Sequence, residues 1–276
     1  MKLFINRVLS HGLLVLFIMF MLLPLYLAIV AASNEGAAMM QSQLPLLPGS
    51  SFFKNMKTVL TEGLSVTGGE PITSMLLNSL LMAFGIAFGK IILALGSAFA
   101  LVYFDFPFKK WCFAFIFATM MLPVEVRIVP TFQVVASFGL LNSFSGLTLP
   151  LLASATGTFL FRQFFKTIPK ELVDAAKLDG AGPVRFFFDI VLPLSKTQIS
   201  ALFVILFVYG WNQYLWPLVI TTETKMATIV MGIRYLAGVA DQVPEWHYIM
   251  TVALIALIPP CMVVMVMQRW FEKGLK

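Results

Sequence analysis

Residues 170–196 read KELVDAAKLDGAGPVRFFFDIVLPLSK, and they hold two helix starts and one helix stop between bounding lysines. Pro169 suits the first turn of a helix, and Glu171 and Asp174 stand near the positive end of its dipole. Leu172, Val173, Ala176 and Leu178 give that helix an apolar side, and Gly180 is placed to end it with φ > 0. Pro183 fits the start of a second short helix. Phe186, Phe187, Ile190 and Val191 then recur at three- and four-residue spacing. Pro193 is expected to break the chain before the next apolar run. The product is a helix–turn–helix with an apolar ridge flanked by charge. Such a ridge suits a groove on a soluble partner, and it equally suits an amphipathic helix resting on lipid headgroups.

What surrounds this segment is strongly apolar. The 276 residues are 59% hydrophobic and 12% charged, with a mean hydropathy of +0.91. Soluble chains run nearer ~45–50% apolar and ~25% charged, so the excess needs lipid as solvent. About 20 mostly apolar residues cross the hydrocarbon core as a helix. Six runs qualify: His11–Ala32, Met75–Val102, Trp111–Phe132, Leu147–Phe165, Ile199–Ile220 and Tyr248–Trp270. The expected fold is an all-α polytopic membrane protein, a single transmembrane domain over 1–276, with the 170–196 loop between helices 4 and 5. Lys2 and Arg7 precede the first run as in a signal peptide, but its length favours a retained helix.

Six spans place both termini on one side. With that side cytoplasmic, Lys2, Arg7, Lys109, Lys110, Arg162, Lys166, Lys170, Lys177, Arg185, Lys196, Arg269, Lys273 and Lys276 fall inside. Only Lys54, Lys57, Lys225 and Arg234 fall outside, so the positive-inside rule fixes the orientation. The net charge of +6 follows from this bias and does not point to nucleic acid. The outside loop Ser33–Ser74 reads as turns with one short helix, and Thr221–His247 carries Glu223, Asp241, Pro244 and Glu245. Cys112 and Cys261 lie in apolar runs and read as buried free thiols.

Several residues repeat a known pattern. Asp174-Ala175-Ala176, Asp179-Gly180-Ala181, Phe187, Ile190 and Leu192-Pro193 resemble the EAA loop of the permease subunits of ABC importers. Asp174 stands where that loop usually has Glu, keeping the charge on a shorter stem. Met121-Leu122-Pro123 with Ile128-Val129-Pro130, and Trp211–Leu218, resemble the carbohydrate-uptake branch. Leu122–Ile128, Ser154-Ala155-Thr156, Phe159–Phe165 and Tyr209–Pro217 narrow the likeness to members that import sn-glycerol 3-phosphate. The resemblance implies a bacterial inner-membrane subunit with both termini cytoplasmic. It implies a second permease subunit as heterodimer partner, two ATPase subunits, and a periplasmic or extracellular solute-binding protein. ATP and Mg would be used by the ATPase subunits, this chain binding no cofactor and catalysing no reaction. The 170–196 loop would transmit ATPase closure to the helices.

An ionisable residue at membrane depth is costly and usually faces a cavity or a partner. Glu125 and Arg127 stand between Pro123 and Pro130 in the third run. A loosened helix there suits a binding site, and the Arg127 guanidinium suits a phosphate, with Glu125 as its counter-ion when empty. Alternatively both lie near the outer interface and snorkel or pair. Asn212 and Gln213, among Trp211, Tyr214 and Trp216, suit hydroxyl groups, or equally an interhelical hydrogen bond and an interfacial aromatic belt. Lys90, flanked by Gly85 and Gly89, either lines the pathway or reaches a neighbouring carbonyl, while the glycines suit close packing. Tyr26 and Asn78 read as helix-contact residues, and His11 and His247 as interfacial ones. These residues leave neutral sugars, polyols and phosphorylated polyols all open.

Other classes fit less well. A secondary transporter would show internal repeats and more intramembrane carboxylates. A membrane enzyme would pair Glu171, Asp174, Asp179 or Asp189 with a histidine, and none stands near. No phosphate-binding loop of the Walker type occurs, so this chain is not itself the ATPase.

Overall fold

The computed structural model describes residues 2–39, 45–64, 67–119, 121, 123–238 and 244–274, without the side chains of 2–8, 39, 124, 125 and 269–274. The described residues are helical or irregular, with no strand. The first expected span lies in α1 (Lys2–Ser33), a continuous helix despite Pro24. Between it and the next span come α2 (Gly36–Met39), α3 (Phe52–Lys57) and a π-helical turn over Thr58–Glu62. That loop is therefore more helical than its prolines and glycines suggest. The second expected span lies in α4 (Ile72–Tyr103).

The third expected span is interrupted. It comprises α5 (Lys109–Thr119) and α6 (Val124–Ser137), with Pro123 ahead of α6 and Pro130 within it. At 1.5 Å rise per residue, neither reaches the ~30 Å of a hydrocarbon core. The fourth divides into α7 (Phe144–Thr148), a 3-10 turn over Leu149–Leu151, and α8 (Ala155–Phe165), with a 49° bend between the two halves. The 170–196 segment forms α9 (Lys170–Leu178), α10 (Pro183–Phe186), a π-helical turn over Phe187–Val191, and α11 (Leu192–Leu194).

The fifth expected span divides into α12 (Lys196–Trp211) and α13 (Leu215–Ile220). Then follow α14 (Ile229–Ala237) and α15 (Trp246–Gly274), which contains the sixth expected span. Among the described residues, three helices are long and apolar enough to cross a membrane, or five when each bent pair counts as one. The difference from the six expected lies in the break at Pro123.

Pro193 is followed by the expected break: the helical stretch Pro183–Leu194 meets α12 at a 72° bend two residues on, at Ser195. There the buried hydroxyl donates to the Val191 carbonyl at 2.6 Å, occupying a backbone acceptor at the corner. The cysteines are corrected as well: Cys112 and Cys261 are free, but exposed on this chain rather than buried.

The chain divides into two compact units, Met1–Leu76 with Ile229–Ile258, and Leu77–Thr228 with Pro259–Lys276. In the first, buried Asn55 of α3 donates to the carbonyls of Ala32 and Asn34, both at 2.9 Å, and ties the loop to the end of α1. Tyr26 likewise donates to the Leu46 carbonyl at 2.7 Å. Gly232 of α14 packs on Met75 and Ile72, and Gly36 packs on the buried His247 ring.

In the second unit, small residues let α4 approach its neighbours closely. A Cβ on Gly210 of α12 would stand 2.9 Å from the Ala83 Cα, and one on Gly157 would stand 2.9 Å from the Ala94 Cβ. Backbone cannot yield as a flexible side chain does. Gly210→Ala is therefore expected to cost about 1–3 kcal/mol through overpacking, read as a lower thermal midpoint of the purified complex. Buried Met82, Ile86, Val135, Leu147, Leu151, Trp216 and Ile220 form the core of this unit.

Candidate functional site

Close packing on one side of α4 shapes one cavity of the second unit. A Cβ at Gly85 would meet the Thr148 methyl at 3.2 Å, and one at Gly89 would meet Leu152 at 2.5 Å. The glycines thus draw α4 against the 148–153 segment, as close-packing residues should. Residues 152–154 between the 3-10 turn and α8 are not helical. Lys90, 8% exposed, donates from Nζ to the Ala153 carbonyl in that break at 3.2 Å. Its ammonium also lies 4.9 Å from the centre of the Tyr209 ring of α12. Ser154 caps the start of α8 by accepting from the Gly157 N–H at 3.1 Å.

Lys90 and Tyr209 face a cavity of about 80 Å³, which Arg127, Ile128 and Thr131 of α6 line from another side. Trp216 and the Pro150–Leu151 turn complete much of the wall. The Thr131 hydroxyl donates to the Arg127 carbonyl at 2.6 Å, one turn back along α6 and beside Pro130. Two cations therefore share the lining, and among the described residues no carboxylate is part of it.

Of the residues singled out in the sequence, Arg127 and Trp216 meet here. The α6 backbone carries Glu125, but its side chain lies outside the described residues. Asn212 ends α12 and is exposed, and Gln213 donates to the Tyr209 carbonyl at 3.1 Å. Neither lines this cavity. Lys90 reaches a neighbouring carbonyl, one of the two readings of its sequence position, and lines this cavity as well. Tyr209 and Thr131 were not singled out, because neither carries a charge or a spacing signal.

Trp216 has a structural duty too. Its indole N–H donates to the Gly146 carbonyl at 3.2 Å, in the core. Trp216→Phe would leave that buried carbonyl without this donor. A loss of about 1–3 kcal/mol is expected, measured as a lower unfolding midpoint.

The 170–196 loop has its own geometry. Gly180 has φ +70°, and the helix ends in a Schellman turn. The Ala181 N–H donates to the Ala176 carbonyl at 2.9 Å, and the Gly180 N–H to the Lys177 carbonyl at 3.1 Å. Pro183 opens α10 behind Gly182, as its fixed φ favours. Phe187 packs edge-on against Phe99 of α4 at 5.0 Å, and Phe186 against Tyr103 at 5.1 Å. The Tyr103 hydroxyl donates to the Phe165 carbonyl at the end of α8, at 3.3 Å.

One face of the loop is thus fastened to α4, over a cavity of about 210 Å³ that Ala176, Ala181 and Phe186 help line. The other face is free on this chain. Leu178 is 89%, Val184 71% and Phe188 57% exposed. Asp174, Ala175, Asp179 and Pro193 are exposed, Ala176 is buried, and Ala181, Phe187 and Ile190 are half-buried. Arg185 and Asp189 pair at 3.3 Å, but both are open to water, so the pair contributes little.

Elsewhere, Asn78 donates to the carbonyls of Lys225 and Ala227 at 2.7 and 3.0 Å, a contact role that fits its reading from sequence. In the loop over 221–247, Asp241 lies outside the described residues. Among the described residues, no group of His, Cys, Asp or Glu is arranged to hold a metal ion.

Comparison with known proteins converges on one family. Residues 90–276 match the family described as "Binding-protein-dependent transport system inner membrane component". The chain is 52% identical over 266 residues to the sn-glycerol-3-phosphate transport system permease protein UgpE of Salmonella typhi, covering 96% of this chain and 94% of that one. It is 50% identical over 271 residues to the protein of the same name from Agrobacterium fabrum, covering 98% and 96%. Among solved structures, a chain of a bacterial ABC transporter involved in importing the acidic polysaccharide alginate has the same fold. Its TM-score is 0.82 at 20% identity, covering 97% of this chain and 96% of that one. The chain therefore belongs to the binding-protein-dependent transport system inner membrane components, as a multi-pass helical permease subunit of an ABC importer.

Proposed function

We propose that this permease forms half of the membrane pathway for sn-glycerol 3-phosphate or related glycerophosphodiesters. The observation that carries this reading is identity of about half the residues, over nearly the whole chain, to permeases named for that solute. The Arg127 side of the 80 Å³ cavity supports it, since a guanidinium matches phosphate oxygens in a bidentate fork. Asn212, Gln213 and Trp216 would meet the glycerol hydroxyls along the pathway, with Glu125 as the resting counter-ion of Arg127.

In this reading a second permease subunit completes the pathway, and an external binding protein delivers the solute. Two ATPase subunits bind and hydrolyse ATP with its magnesium ion. The chain crosses the membrane six times with both termini cytoplasmic, as its Lys and Arg distribution favours. The exposed ridge of Leu178, Val184 and Phe188, with Asp174 and Asp179 beside it, docks on an ATPase subunit. Closure of the ATPases pulls the loop. Phe186 and Phe187 pass that motion to Phe99 and Tyr103. Tyr103 and Lys90 sit 13 positions apart on α4, so the rigid helix carries the displacement about 20 Å to the cavity.

The test is uptake of labelled glycerol 3-phosphate into proteoliposomes containing the complete complex, binding protein and internal ATP. ATP-dependent accumulation, competed by excess unlabelled glycerol 3-phosphate but not by maltose, is expected. Accumulation of a neutral sugar or polyol instead would overturn the substrate assignment.

A further inference from the structure

We infer that Lys90 is a second anion-recognising residue, which leaves the Ala153 carbonyl to share the solute's phosphate with Arg127. The inference rests on the substrate reading above. Lys90 is the sole charged residue of α4, near the middle of a 32-residue apolar helix, and 8% exposed. A cation at that depth is expensive and is normally compensated by a carboxylate. Among the described residues, neither Lys90 nor Arg127 takes part in an ion pair. What Lys90 has instead is one carbonyl and one ring face.

An ammonium offers three donors, and the Ala153 carbonyl engages one. Arg127 lines the same small cavity, and an anion that displaces Glu125, its resting counter-ion in the reading above, meets both cations. A phosphate monoester carries about −1.5 to −2 charges at pH 7 and neutralises both. A neutral polyol entering the same space neutralises neither. The Lys90–Arg127 pair therefore makes the cavity select for an anion in the permease itself, in addition to any selection by the binding protein. The Ala153 carbonyl lies in a non-helical break, where it serves as a resting acceptor that Lys90 can release.

The alternative is that Lys90 only clips that break to α4. Glutamine separates the two, since its amide still donates to a carbonyl but carries no charge. In the reconstituted complex with its binding protein, Lys90→Gln should lower glycerol 3-phosphate uptake at limiting solute on the order of tenfold. Complex yield should be unchanged, and Lys90→Arg should restore most of the uptake. Wild-type kinetics in Lys90→Gln would overturn the proposal. Loss of uptake in both variants would show that charge at this position is not what uptake requires and would overturn it equally. Should Lys90→Gln not assemble, Lys90→Arg decides: retained uptake supports the charge role, and lost uptake overturns it. Failure of the wild-type complex to import glycerol 3-phosphate would instead refute the substrate reading, so the two failures are distinguishable.

Discussion

Replacing Gly180 with valine should abolish solute uptake in the assembled transporter while ATP hydrolysis persists without its normal dependence on solute. The cause is conformational. Gly180 has φ +70°, and a Cβ placed there would meet no heavy atom within 4 Å. Crowding is therefore not the issue, and the whole penalty comes from forcing a β-branched residue into the left-handed region. That penalty is about 1–3 kcal/mol. It falls on the two hydrogen bonds that close the Schellman turn between Ala176 and Ala181. If the turn opens, the Leu178 ridge no longer holds a fixed angle to α10, and α10 carries the aromatic contact to α4. Gly180→Asn is the control, since asparagine tolerates φ > 0, and it should keep most of the uptake. Wild-type uptake by Gly180→Val would contradict a coupling role for this turn.

Arg127→Ala should raise the solute concentration for half-maximal uptake by tenfold to a hundredfold, with expression and assembly unchanged. A hydrogen bond to a charged group is worth about 1.5–3 kcal/mol, and each 1.4 kcal/mol is about a factor of ten. Arg127 is exposed on this chain and lines the cavity, so truncation leaves little packing to lose. Arg127→Lys should recover part of the loss, because it keeps the charge without the planar fork. Unchanged kinetics at matched expression would return Arg127 to a snorkelling role at the interface.

The loop at 170–196 was legible because its instructions are local. A glycine at a helix end and a proline at a helix start act through their own backbone angles, and both appear where the sequence puts them. The long helices were legible from apolar length alone. The break at Asn212–Tyr214 was not, because no proline or glycine marks it and the apolar run continues through Trp216 and Ile220. Pro193 does mark a break, since the 72° bend at Ser195 follows it two residues on, before α12.

The cavity was half legible. Arg127 stood out as an intramembrane charge, and Gly85 and Gly89 as packing residues. That the glycines draw Lys90 onto the Ala153 carbonyl, facing Arg127, is a tertiary fact. Trp216 looked like part of an interfacial belt, yet its hydrogen bond reaches Gly146, 70 positions away. No periodicity encodes a contact of that range.

The central claim is that this chain couples ATP hydrolysis to passage of a phosphorylated polyol. Its most direct test is the ATPase activity of the reconstituted four-subunit complex with its binding protein, given glycerol 3-phosphate and maltose in turn. Stimulation by glycerol 3-phosphate alone is the predicted result. Stimulation by maltose and not by glycerol 3-phosphate would contradict it, leaving an importer permease in which Arg127 and Lys90 serve structure alone.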